Sequence, residues 1–258
     1  MSRILGVEAP ARNDLSNNER DEARQIQSSL LPSGTLKTGS VEIAFRFSPF
    51  HEVGGDFADF FVLPNGQVGL YIGDVMGKGL GAAMYAALVM GMLRGINKTG
   101  DTTAMVLGML NKRLMVRPVA ERYATTLYGV YDPAARELVF SNAGMPYPLH
   151  ASRRGCTQLK CEGFPSGMFR EVSYDIHRIP LSPGDAILFA TDGLHELQDS
   201  NGIDFSWARM PEIWEQCHRK SADQSLECLF DGAKKFTAGG LQNDDITAVV
   251  LKVPEETS

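Results

Sequence analysis

Cysteine and tryptophan are scarce, four and two in 258 residues. The cysteines, Cys156, Cys161, Cys217 and Cys228, form no CxxC pair, and no nearby histidine completes a zinc pattern. That excludes a zinc ribbon and a thioredoxin-type redox motif, and the spacing reads as four reduced thiols in a cytosolic chain. Long apolar runs are missing as well. The longest, 82–93, is too short and too glycine-broken to span a bilayer. The N-terminus lacks a basic segment followed by an apolar one, so no signal peptide is expected. A cytoplasmic location follows by elimination. Basic charge is not in excess either: the formal net charge is -6 and no basic stripe occurs. This excludes a nucleic-acid binder driven by phosphate contacts.

What is present is an ordinary globular composition, 43% hydrophobic and 22% charged, enough for a sizeable core in one large domain or two small ones. Residues 1–17 are polar and mixed, and read as a flexible tail or linker. Over 18–32, Ala23, Ile26, Leu30 and Leu31 recur at helical spacing until Pro32 stops the run. This short amphipathic helix is either simple packing or a regulatory element between an upstream input and the domain that follows, 33–258.

That domain is rich in strands. "VEIAFRF" alternates apolar and polar residues, and "FADFFVL" and "VGLYIGD" flank the hairpin signal "PNG". Two helices follow, "GLGAAMYAALVMGML" and "TTAMVLGMLNKRLMV", the second capped by Asp101 or Thr102. Further strands are expected in "YATTLYGVYD", "ELVFSNAG", "YPLHAS", "CTQLKC", "VSYDIHRIPL" and "AILFATDG". Helices then come near "PEIWEQCHRK" and "SLECLFDGAKKF", and "DDITAVVLKV" closes the chain as a strand. Strands joined by short turns, with helices in pairs, predict an α+β fold: two antiparallel sheets packed face to face with helices outside.

Acids recur where these apolar strands meet turns. Asp56 opens a strand behind a Gly-Gly pair. Asp74 ends the next, Asp192 ends another, and Asp244 and Asp245 begin the last. Carboxylates gathered at the edge of a core are costly to desolvate and raise one another's pKa. A hard divalent cation resolves both problems, and oxygen donors suit magnesium or manganese.

The stretches "EVGGDF", "GDVMGKG", "YATTLYGVYD", "NAGMPYPL", "ATDGLHE" and "NDDITAVVLKV", in this order, resemble the bacterial metal-dependent serine/threonine phosphatases of the PPM family, SpoIIE/RsbU branch. "IQSSLLP" is similar to the segment leading into that domain. The resemblance implies an αββα sandwich holding two Mn2+ or Mg2+ ions at one edge of the sheets. It implies that Asp74 bridges both ions and that the Val75 backbone carbonyl holds one. Asp192 and Asp244 would complete the shell of the other, and Asp56 would serve the second ion directly or through water. Catalysis would be direct attack of water on phosphorus, with no phospho-enzyme. The substrate would be a phosphorylated STAS-domain anti-sigma-factor antagonist in a partner-switching pathway, with an upstream sensor or receiver protein; homodimerisation is left open. The alternative is a catalytically silent adaptor that binds a regulatory protein, with a small-molecule phosphohydrolase as a third reading.

The sequence departs from the branch at several places. His51 falls where related phosphatases outside the branch carry a phosphate-binding arginine; it takes up that contact or is a surface loop histidine, and Arg46 and Arg122 are further candidates. Met145 stands where a histidine is usual, and Met76 where small residues are common. The turn "GKGLGAAM", with Lys78, could meet an anion. Glu196 is given no catalytic role. Of the adjacent pair, Asp244 aligns as the ligand. Asp245 is expected to fill a hydrogen-bonding role that needs no charge, so its amide replacement should be nearly silent.

Overall fold

A computed structural model of the chain describes residues 17–96, 101–238 and 242–255. The expected tail therefore lies outside the described residues, apart from Asn17, which opens the first helix. That helix, α1 (Asn17–Leu30), is followed by β1 (Leu36–Lys37) and β2 (Glu42–Ser48), then the hairpin β3 (Phe57–Val62) and β4 (Val68–Val75). Helices α2 (Gly79–Ile96) and α3 (Thr103–Leu114) come next, then strands β5 (Ala124–Asp132), β6 (Glu137–Ala143), β7 (Leu149–Ser152), β8 (Gly155–Gln158), β9 (His177–Pro180) and β10 (Ala186–Ala190). A one-turn helix α4 (Asp192–His195), helices α5 (Ser206–Cys217) and α6 (Ala222–Thr237), and β11 (Ile246–Lys252) complete the order.

The strands form two antiparallel sheets, ordered β1-β2-β11-β10-β7-β8 and β3-β4-β5-β6-β9. Their inner faces share one core, with Ile43, Phe189, Val249 and Leu251 meeting Leu70, Ile72, Leu127 and Phe140. Helices α2 and α3 cover the outer face of the five-stranded sheet, and α5 and α6 that of the six-stranded sheet. The αββα sandwich expected from the strand and helix pattern is the fold observed. β11 shows why its text is apolar throughout: Val249 and Leu251 face the inner core, while Ala248 and Val250 face the helices.

Several local expectations change. Thr102, not Asp101, caps α3, its side chain accepting from the Met105 amide at 3.2 Å. α5 begins five residues ahead of Pro211, which lies inside it. Among the described residues α2 is the one helix that, by length and composition alone, could cross a bilayer. Its apolar character goes into packing: Ala82, Tyr85, Ala86, Val89, Met90 and Leu93 are buried beneath the five-stranded sheet. The expectation of four reduced thiols is also corrected. Cys217 and Cys228 form a disulfide across the turn between α5 and α6, their Cα atoms 5.6 Å apart, while Cys156 and Cys161 are free. Helix pairing joins two cysteines whose sequence spacing matches no motif.

Candidate metal centre

Strand parity decides which side chains reach the inner edge of the sandwich. On β4, Leu70 and Ile72 belong to the inner core, and Asp74 shares their face. On β3, Ala58 points inward, and Asp56 lies two residues before it with the same parity. The register Phe57↔Gly73 sets these two acids side by side at one end of the sheet. The facing sheet contributes β10 and β11, paired Ala190↔Ala248, so that Asp192, Asp244 and Asp245 arrive at the same end. Thr191 ties the halves together. Its hydroxyl accepts from the Thr247 amide at 2.9 Å and donates to Asp56 Oδ2 at 2.8 Å, a buried bond crossing from one sheet to the other.

The opening Gly-Gly pair now has a steric reason. A Cβ on Gly55 would stand 3.0 Å from both Asp74 Oδ1 and the Val75 carbonyl oxygen. A Cβ on Gly54 would stand 2.2 Å from Asp245 Oδ2. Only bare backbone lets this loop lie against the acids. Helix α1 holds the same loop: Gln27 Nε2 donates to the Gly54 carbonyl at 2.8 Å, and the Gly54 amide donates to Gln27 Oε1 at 3.1 Å.

The acids are electrostatically strained. Burial, and then the Asp74 carboxylate, hold Asp56 well above the usual carboxylate range. Asp74 is pushed up to about 8 by burial first, then by Asp192 and Asp244. Burial and the neighbouring Asp244 also raise Asp192. Among the described residues no three such side chains are already closed into a chelating set. The donors nonetheless fit a hard divalent cation. They are carboxylate oxygens that mutually oppose ionisation, and the space kept open by Gly55 lies between the Asp74 carboxylate and the Val75 carbonyl.

Asp245 has the hydrogen-bonding role expected of it, filled by both carboxylate oxygens. It shares the inward parity of Thr247 and Val249, it is 4% exposed, and its carboxylate is already engaged. Oδ1 accepts the Phe50 amide at 2.8 Å and Oδ2 the Gly55 amide at 2.7 Å. Asp244 lies ahead of the strand and turns toward the opening, where Lys78 Nζ meets its Oδ2 at 2.8 Å. Parity explains the inward position of Asp245, which pins the loop; Asp244, ahead of the strand, is instead met by Lys78.

Beside Asp192 opens a cleft of about 460 Å³, lined by Thr125, Met145, Tyr147, His195, Glu196 and Asp204 among others. Met145, held by two hydrogen bonds with Asn142, accepts from the Thr125 hydroxyl, which in turn contacts the Asp74 backbone. Met145 is thus linked to the Asp74 backbone through Thr125, whereas Met76 is exposed. Arg46 packs over the Phe230 ring, turned toward the helices. Arg122 donates to the Met76 carbonyl. His51 is exposed and lies against Phe50, with ring centroids 4.5 Å apart. Sequence reasoning missed Thr191, Gln27 and the Lys78–Asp244 pair. Only for Lys78 was there a signal, the glycine-flanked turn that carries it.

Known proteins share this architecture. The chain is 26% identical to Protein IcfG of Synechocystis over 93% of its own length and 42% of that protein's. It is 24% identical to phosphoserine phosphatase RsbU of Bacillus subtilis over 91% of its length and 70% of RsbU. The chain thus spans less than half of one of these relatives. The SiaA-PP2C domain of Pseudomonas aeruginosa superposes with a TM-score of 0.80 at 21% identity, covering 91% of this chain and 95% of that one. Residues 64–254 match the family described as Stage II sporulation protein E (SpoIIE). With the two-sheet fold and the acids at its edge, the chain belongs to that family, in the SpoIIE/RsbU branch of the PPM phosphatases.

Proposed function

We propose that the chain is a Mn2+- or Mg2+-dependent protein phosphatase acting on phosphoserine or phosphothreonine, with a STAS-domain anti-sigma-factor antagonist as substrate. The observation that carries this reading is the delivery of acids from both sheets to one edge, where the pKa values of Asp56, Asp74 and Asp192 are each raised by burial first and then by neighbouring carboxylates. On this reading Asp74 would be the ligand shared between the ions, Asp192 and Asp244 would hold one of them, and the Val75 carbonyl and Asp56 would serve the other. When bound, such ions supply a water nucleophile near neutral pH and offset charge on the phosphoryl oxygens. The rest is done by the chain. Thr191 orients Asp56, Asp245 and Gln27 fix the Gly54–Gly55 loop, and the cleft beside Asp192 receives the substrate segment.

A partner-switching context belongs to the same proposal and draws support from the likeness to RsbU; an upstream sensor and a cytoplasmic setting are proposed with it. The disulfide sits least easily with that setting, since cytosolic thiols are kept reduced. The reading of α1 as a regulatory helix draws support from the Gln27 clamp, because the clamped loop touches Asp74 and Val75.

The test is hydrolysis of a phosphoserine peptide by the full chain with added Mn2+. Activity should vanish in EDTA and return with Mn2+, and Asp74→Asn should lower turnover by on the order of 10²-fold or more. Folded wild-type protein that binds Mn2+ without turnover would favour the silent adaptor. Near wild-type turnover by Asp74→Asn would remove Asp74 from the centre.

A further inference from the structure

The turn that leads from Asp74 and Val75 into α2 carries a cation across the mouth of the centre. Gly77 and Gly79 flank Lys78, both with left-handed backbone (φ 100° and 69°), and the side chain spans to the opposite sheet. There its ammonium meets Asp244 Oδ2 at 2.8 Å, donates to the Asn243 carbonyl, and stands 5.3 Å from the centre of the Phe50 ring. The Lys78 side chain is 45% exposed and that of Asp244 30%. This is a cation at the rim, not one locked in a core.

We propose that Lys78 is a tethered cation that competes with divalent ions for Asp244 and, once displaced, binds the phosphoryl group of the substrate. The proposal rests on the phosphatase reading given above. Its first half follows from shared ligation. An ion held by Asp244 must claim the carboxylate that the ammonium already holds, and a dication at that distance repels the ammonium. The second half follows from the tether. Lys78 is four residues from Asp74, so an ammonium released from Asp244 stays at the mouth of the cleft, where a phosphoryl group arrives with its negative charge. Lysine suits that role as a mobile point charge. The other cations near the centre are engaged elsewhere: Arg46 over Phe230, and Arg122 at the Met76 carbonyl. His51 lies against Phe50.

Two readouts on the full chain test this. The first is Mn2+ binding by calorimetry without substrate. Removing a half-exposed ion pair frees Asp244, so Lys78→Gln should bind Mn2+ about 2- to 5-fold more tightly. The second is steady-state kinetics with a phosphoserine peptide at saturating Mn2+. There the same variant should raise KM about 10-fold or more, as loss of a charged hydrogen bond does, with kcat changed far less. Lys78→Arg, which keeps the charge, should restore most of the KM. Mn2+ affinity that is unchanged or weaker in Lys78→Gln overturns the competition, because Lys78 would then merely position Asp244. An unchanged KM overturns the phosphate contact. Failure of the wild-type chain to bind Mn2+ at all would sink the phosphatase reading and this inference together. Normal wild-type binding with an unaltered variant overturns this inference alone.

Discussion

Replacing Asp245 with asparagine separates the two neighbouring acids most sharply. From the sequence this change should be nearly silent; from the structure it should not. Both carboxylate oxygens accept a backbone amide, Phe50 N at 2.8 Å and Gly55 N at 2.7 Å, in a residue only 4% exposed. Asparagine keeps one acceptor and presents its NH2 to the other amide, so a charge-assisted bond is lost and two donors face each other. A hydrogen bond to a charged group contributes about 1.5–3 kcal/mol, and an orphaned buried donor costs about 1–3 kcal/mol. Against this, burial raises the Asp245 pKa, so the neutral amide escapes part of the cost of holding a buried charge. The net expectation is a destabilisation of roughly 2–3 kcal/mol. Urea unfolding in EDTA measures it without any contribution from bound ions, and an unchanged m-value would show that the midpoint shift reflects stability alone. Asp244→Asn is the matched control. Asp244 is partly exposed and raises the pKa of Asp74 and Asp192, so its neutralisation should leave stability in EDTA unchanged or improved while weakening Mn2+ binding. A loss below about 0.5 kcal/mol for Asp245→Asn would refute the two-amide argument.

Acid should act through His195, whose imidazole is pushed down to about 4 from 6.5 by burial. Between those values the unfolded chain takes up a proton that the native chain refuses, so this contribution to stability is present above pH 6.5 and is lost as pH falls, by on the order of 3 kcal/mol. The raised carboxylates Asp74 and Asp192 act in the opposite direction, so the readout is the difference in unfolding free energy between wild type and His195→Gln: it should shrink as pH falls through the window, and a constant difference would contradict the assignment. On α1, Gln27→Ala should weaken Mn2+ binding several-fold by loosening Gly54, whereas Ile26→Ser should leave it unchanged because Ile26 is 54% exposed; equal effects in a Mn2+ titration would show that α1 acts through general packing.

The sandwich was legible because its signals are periodic. β2, the β3–β4 hairpin, α2, α3 and β11 all lie where alternation, turn residues or helical spacing placed them. Helix starts without such a signal were not: α5 begins ahead of Pro211, a residue that reads as a helix beginning. On α1 the apolar spacing counted Ile26 in the buried face, yet the helix docks through Ala23, Gln27 and Leu30 and leaves Ile26 in solvent. A glutamine that bonds a backbone loop is polar text, invisible to a hydrophobic pattern. The disulfide was hidden for a related reason, since two helices must pack before Cys217 and Cys228 meet.

The placement of the acids has a consequence for stability as well as for chemistry. Asp56 and Asp74 belong to one sheet, and Asp192, Asp244 and Asp245 to the other, so the site exists only where the two inner faces close. Repulsion among these carboxylates pushes the sheets apart at this edge, while the shared core of Ile72, Phe189 and Val249 holds them together behind it. Thr191 and Asp245 are the bolts across the gap: each lies on the six-stranded side and bonds a group of the β3 entry loop, Asp56 in one case and the Gly55 amide in the other. Cations shared between the two sets would turn the same repulsion into attraction, so metal binding and sheet closure become one equilibrium. Any element that shifts the β3 entry loop shifts that equilibrium too. Among the described residues, α1 reaches that loop from outside the sandwich through Gln27 and, at Glu52, through Arg20. On the proposed reading, a helix with a small buried face would therefore influence a centre it does not enter.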